Sequence, residues 1–175
     1  MLAKPGRGAH HRRMGLGAST YLVLKYLHVL GAIVVLGTGA GIAFFMLMAD
    51  RSRDAAFIAR TAGVVVLADL IFTATAVAAQ PITGYLLLRQ TGGALSDSWV
   101  VASLALYAIA GASWLPVVWI QLRMRDLARA AVAAGAPLPV AYHRLFRVWF
   151  AFGFPGFGAV MAILWLMIAK PALWT

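Results

Sequence analysis

Residues 21–48 read YLVLKYLHVLGAIVVLGTGAGIAFFMLM, an apolar run whose only charge is Lys25 and whose only histidine is His28. An apolar stretch of more than 18 residues with so few charges is long enough to cross a bilayer as a helix. It is too long for the core of a secretory signal, which would also need a small-residue cleavage site after it. We therefore read it as a first membrane span. Ahead of it lies a basic, polar stretch with Lys4, Arg7, His10, His11, Arg12 and Arg13, read as a disordered tail over residues 1–19; Met14 offers a second start that would remove most of it.

Outward from this run the pattern repeats three times. Further apolar spans are expected at about 57–88, 99–122 and 147–169, the last stopped by Lys170 and Pro171. Each must be helical, because lipid offers no hydrogen-bond partner to the backbone and four strands cannot close a barrel. Pro81 lacks a backbone donor, so a kink or an end near Gln80 is expected. The connections at residues 50–54 and 89–98 are short. The third is longer, and residues 123–134 set Met124, Leu127, Ala128 and Ala131 against Arg125, Asp126 and Arg129. That is helical spacing, read as an amphipathic extension of span three lying on the cytoplasmic membrane surface and ended by Gly135, Ala136 and Pro137. Short connections give antiparallel neighbours. The predicted fold is all-α: one transmembrane domain over residues 20–175, an up-down bundle of four helices.

Composition agrees. The chain is 63% hydrophobic and 11% charged, against about 25% charged for a soluble domain, so it cannot clothe itself in a water-soluble surface. The net charge of +10 would suggest nucleic acid in a soluble protein. Here the Lys and Arg residues punctuate apolar runs, which fits topology control and lipid headgroups and excludes nucleic acid as a partner. The chain has no cysteine, so thiolate catalysis, Cys-ligated zinc and iron–sulfur clusters are excluded. All five acids are Asp, so the Glu-x-x-His pattern of di-iron bundles is missing too.

The basic residues also orient the bundle. Arg51, Arg53, Arg60, Arg123, Arg125, Arg129, Arg144 and Arg147 flank the first and third connections, against Arg89, Lys170 and the tail on the other side. Short cytoplasmic loops collect Lys and Arg. The reading is therefore a multi-pass protein of a bacterial inner (plasma) membrane with both termini periplasmic.

Ionisable and polar groups inside spans are the default site candidates, since each is costly in lipid. They are Asp69, near the middle of span two, Lys25, His28, Gln80 and Gln121. Asp69 reads either as the centre of a proton or cation path or as a structural hydrogen bond between helices. His28 reads either as one axial ligand of a b-type haem or as a neutral histidine bonding across the bundle; His143 lies at the opposite end and cannot complete a bis-histidine pair. Lys25 is expected to snorkel to the outer headgroups. Gly37, Gly39 and Gly41 lack the third glycine of a nucleotide loop and read as close helix packing, as do Gly153, Gly156 and Gly158 with a kink at Pro155. Tyr107, Trp114 and Trp119 read as packing or lipid contact. No catalytic constellation and no metal-binding cluster is present.

Several segments together are similar to one bacterial family. They are residues 24–31 (LKYLHVLG), 68–73 (ADLIFT), 80–84 (QPITG), 114–121 (WLPVVWIQ) and 166–171 (LMIAKP). The family is the predicted integral membrane proteins of domain of unknown function twenty-two sixty-nine, and the resemblance runs from about Tyr21 to near the end of the chain. It implies the four-span fold and a start near Met14. Lys25 and His28 in the first span also resemble the opening of HemJ-type protoporphyrinogen oxidases and of copper-resistance protein D, which implies a haem- or metal-linked histidine; the tryptophan–glycine and arginine features that follow in the HemJ type are missing here. The resulting expectation is a non-enzymatic bundle that moves a proton or small solute, with Asp69 at its centre. The alternative is a haem-binding redox protein using His28. A homo-oligomer or a membrane-protein partner remains open alongside the lipid bilayer.

Overall fold

The computed structural model describes residues 7–174, with side chains from residue 18 onward. It is all-helical. Helix α1 covers Arg7–Ser52, α2 Ala55–Ala68, α3 Ala74–Thr91, α4 Ser98–Ala133 and α5 Val140–Ala169, and a π-helical turn at Asp69–Thr73 joins α2 to α3 without a break. The tail read over residues 1–19 lies partly outside the described residues, and α1 is drawn from Arg7. Four stretches are long and apolar enough to cross a membrane: Ala18–Ser52, Ala55–Thr91, Ser98–Ala133 and Val140–Ala169.

Local chemistry sets the ends. Asp54 caps α2 by accepting from the amides of Ala56 at 2.8 Å and Phe57 at 3.3 Å, two of the donors a helix start leaves free. Gly92 takes φ 71° after α3, and Gly135 takes φ 58° after α4, the left-handed turn that lets the chain fold back on the last carbonyls. At Lys170 (φ 43°) the chain leaves α5, and the ammonium lies 5.4 Å from the Trp99 ring centroid. The amide of Leu173 then donates to Ser98 Oγ at 2.9 Å, strapping the end of the chain to the start of α4.

The helices overrun the expected spans, and the overrun has a direction. From Trp99 to Trp119, α4 rises about 30 Å at 1.5 Å per residue, one hydrocarbon thickness between two interfacial indoles. The remaining turns of α4, to Ala133, project beyond it on the arginine-rich side. Helix α5 starts at Val140, two turns before the boundary at residue 147 read from sequence, because Arg144 and Arg147 interrupt the apolar pattern without breaking the helix. At this end sits the main core. Met46, Ala49, Ile58, Met124, Ala128 and Tyr142 are fully buried, with Ile42, Ala59, Ala62, Val65, Ile120 and Trp149 around them.

Two sequence expectations need correction. The stripe Met124–Ala128–Ala131 is buried in the bundle, so residues 123–134 form a core-packing continuation of α4 and not a helix lying on the membrane surface. Pro81 does not end α3, which runs on to Thr91. The departure from α geometry sits two to three turns earlier, at the π-helical turn.

Candidate functional site

Two polar clusters lie on one face of the second span. The first is built around Asp69, which is 4% exposed. Opposite it on α4, Trp114 and Gln121 are seven residues apart and so share a helix face. Trp114 Nε1 donates to both Asp69 oxygens at 3.2 Å. With its amide oriented to suit its neighbours, Gln121 donates to Asp69 Oδ2 at 3.2 Å and accepts from Trp149 Nε1 of α5 at 3.1 Å. One carboxyl group thus ties three segments together through neutral N–H donors. Among the described residues no cation pairs with it; the only salt bridge there is Arg125 with Asp126. Asp69 lies at the middle of its helix, but its donors bracket Trp119, Trp114 five residues before it and Gln121 two after, so on the indole ruler the carboxyl lies near the arginine-rich edge of the hydrocarbon.

The π-helical turn holds the carboxyl there. The amide of Ala74 bonds back to the carbonyl of Asp69, a wide turn of a kind frequent at functional sites. Thr73 follows one turn along the same face, 6% exposed, its buried hydroxyl turned toward the Asp69 carboxyl.

The second cluster joins α1 to α3. Gln80 Nε2 donates to the carbonyl of His28 at 2.9 Å, and His28 Nδ1 lies 2.8 Å from Thr83 Oγ1. Thr83 has one proton, which it directs to the carbonyls of Ala79 at 2.9 Å and Gln80 at 3.2 Å. Nδ1 must therefore be the donor to Thr83, which leaves Nε2 with the free lone pair of the neutral ring. Two glycines make this approach possible. A Cβ on Gly31 would fall 2.3 Å from Gln80 Nε2, and one on Gly84 would fall 3.2 Å from His28 Cε1.

Between the clusters, Tyr107 of α4 donates to the carbonyl of Val77 at 2.7 Å. That carbonyl is the one Pro81 leaves without its i+4 amide, so Tyr107 supplies the donor that proline lacks.

The structure thus brings Asp69 and Gln121 together, and Gln80 and His28 together, as two separate groups. Lys25 joins neither; it is exposed, with its ammonium 5.8 Å from the Tyr21 ring centroid. Trp114 and Tyr107, read from sequence as packing, are hydrogen-bond donors at the site. The signal was available: Trp114 and Gln121 face one way, and a buried indole N–H requires an acceptor. The glycine reading also changes. Gly37, Gly39, Gly153 and Gly158 have nothing within 4 Å of where a Cβ would stand, and of the glycines in these two groups Gly156 alone meets a neighbouring helix, at Ser113. Among the described residues no three His, Asp or Glu side chains gather to hold a metal.

Comparison with known proteins gives one match. The model of a family described as "Predicted integral membrane protein (DUF2269)" matches residues 22–171. No curated protein and no solved structure matches the chain.

Proposed function

Since the chain belongs to the predicted integral membrane protein family DUF2269, we propose that it is a non-enzymatic carrier of a proton or small polar solute, with Asp69 as the polar centre of the path. We place it in a bacterial inner membrane with both termini periplasmic, a reading supported by the eight arginines gathered at one end.

The observation that carries the reading is a carboxyl group within a helix long and apolar enough to cross a membrane, 4% exposed, held by neutral donors and, among the described residues, matched by no cation. An unmatched acid in lipid is expensive to keep and marks a pathway by default. Asp69, Thr73, the freed carbonyl region at Val77, Gln80 and Thr83 follow one another at spacings of four, four, three and three, a single polar stripe along the second span. The buried Thr73 hydroxyl, turned toward Asp69 and able both to donate and to accept, is the next station after it.

The test is proton flux in liposomes holding the full chain and a pH-sensitive dye. Wild type should dissipate an imposed gradient at least ten-fold faster than Asp69→Asn, with Asp69→Glu between them. Asn preserves an acceptor for Trp114, so the fold should survive, and helix content by circular dichroism checks this. Equal flux in wild type and Asp69→Asn at every pH would remove the relay.

A second reading, b-type haem ligation through His28, draws on one observation: Thr83 fixes the ring with Nε2 as the free nitrogen, the orientation seen in ligating histidines. Purified protein mixed with haemin should then show a Soret band that His28→Ala abolishes.

A further inference from the structure

We propose that the cleft between α4 and α5 at the arginine-rich end binds the phosphate of an anionic glycerophospholipid. The inference needs only the membrane setting and stands whether or not Asp69 carries protons.

The cleft is a cavity of about 530 Å³ lined by Trp119, Arg123, Leu127, Ala141, Arg144 and Leu145. Its walls are apolar apart from two guanidinium groups, and no carboxylate lines it. Both arginines are exposed, and among the described residues neither has an ion-pair partner. The nearest acid in sequence, Asp126, is taken by Arg125, which reaches it through Nε at 2.9 Å and through the terminal nitrogen at 2.8 Å. Of the other acids at this end, Asp50 faces Tyr142 and Asp54 caps α2. Two cations therefore converge on one cleft with their countercharge left to come from outside.

Depth selects the ligand. Trp119 marks the edge of the hydrocarbon, and Arg123 lies one turn, roughly 5 Å, beyond it. On α5, Arg144 lies about 7 Å past Trp149, again counting helical rise. Both guanidiniums thus sit at phosphate level, while Trp119 and Leu145 reach toward the glycerol and upper acyl chains. Arginine meets phosphate oxygens with a planar fork of paired N–H groups. The start of α5 adds to this. Pro139 gives it no side-chain cap, so its first-turn amides, at Ala141 in the cleft wall, present the positive end of a 30-residue helix. Free phosphate offers the same oxygens but nothing to cover the tryptophan and leucine walls, which is why a lipid headgroup is assigned.

The experiment is native mass spectrometry of the detergent-purified full chain, titrated separately with phosphatidylglycerol, phosphatidylcholine and inorganic phosphate. Wild type should retain one phosphatidylglycerol in preference to phosphatidylcholine. The double variant Arg123→Gln/Arg144→Gln should weaken that binding at least ten-fold. Leu127→Trp, which fills the cleft and keeps both charges, should weaken it as well, and this arm decides the matter should the double variant fail to fold. Equal retention of the two lipids, or full binding by Leu127→Trp, would overturn the proposal. So would displacement of phosphatidylglycerol by equimolar inorganic phosphate, which would reassign the cleft to the free ion.

Discussion

The two ends of this bundle are held together by different forces. At the arginine-rich end, α1, α2, α4 and α5 meet around Met46, Ile58, Met124 and Tyr142, none with measurable exposure. At the other end the helices separate into pairs: α3 packs closely against α1, and α4 against α5. Among the described residues, the hydrogen bond that joins the pairs there runs from Tyr107 to Val77. The bilayer explains the difference. Lipid tails are as apolar as leucine, so burying leucine among helices gains little inside the hydrocarbon, and association depends on close approach and hydrogen bonds. Where the helices project beyond the hydrocarbon, water restores the hydrophobic driving force and an ordinary core forms. The Asp69 cluster lies at the junction of the two regimes, polar in its contacts yet bordered by the core.

The comparison breaks most visibly at the core. Tyr142→Ala should cost about 3–5 kcal/mol, as removal of a buried aromatic ring does, read as a large fall in the thermal midpoint in detergent. Tyr142→Phe keeps the ring and removes only a hydroxyl that faces Asp50 without closing a hydrogen bond to it, so the midpoint should change little. A large loss in Tyr142→Phe would mean that the hydroxyl is engaged and that this end is not governed by apolar burial. In the lipid-bound half, the sensitive positions should be those of closest approach. Gly31→Ala drives a methyl into the Gln80 amide, which must swing away and give up its bond to the His28 carbonyl, at a cost of about 1–3 kcal/mol for the acceptor left unpaired. Gly37→Ala, which meets nothing within 4 Å, should change the midpoint little. Equal effects from the two glycines would show that approach distance does not organise this half.

The same physics decides how much of the molecule could be read beforehand. Four spans, their helicity and their order follow from apolar run length and the demand of lipid for internal backbone bonding, and residues 21–48 already announce the first. Asp69, His28, Gln80 and Gln121 stood out because polar groups are rare in such runs. Which of them meet was hidden, since it depends on the rotation of each helix about its axis, and a lipid-facing helix carries no strong apolar periodicity to reveal it. Residues 123–134 misled for a related reason: the stripe through Met124 and Ala128 has the same spacing whether it faces a membrane surface or a neighbouring helix. The glycines of span one misled because small residues permit close packing without requiring it.

The smallest effect gives the sharpest test. Pro81 leaves the Val77 carbonyl without its helical donor, and the Tyr107 hydroxyl fills the gap at 2.7 Å. Tyr107→Phe should therefore leave a carbonyl unsatisfied in lipid and cost about 0.6–1.7 kcal/mol, the range for interhelical hydrogen bonds in membranes. Pro81→Ala restores an amide at the position where a regular α-helix would direct it to Val77. In that background the backbone bond competes for the carbonyl, and Tyr107→Phe should become close to silent. The double-mutant cycle thus predicts a coupling energy as large as the single Tyr107→Phe effect, measured by unfolding in mixed detergent. If the tyrosine merely filled space between α3 and α4, the two substitutions would instead add independently, and the proline would be unconnected to the bond that joins the pairs in this half of the bundle.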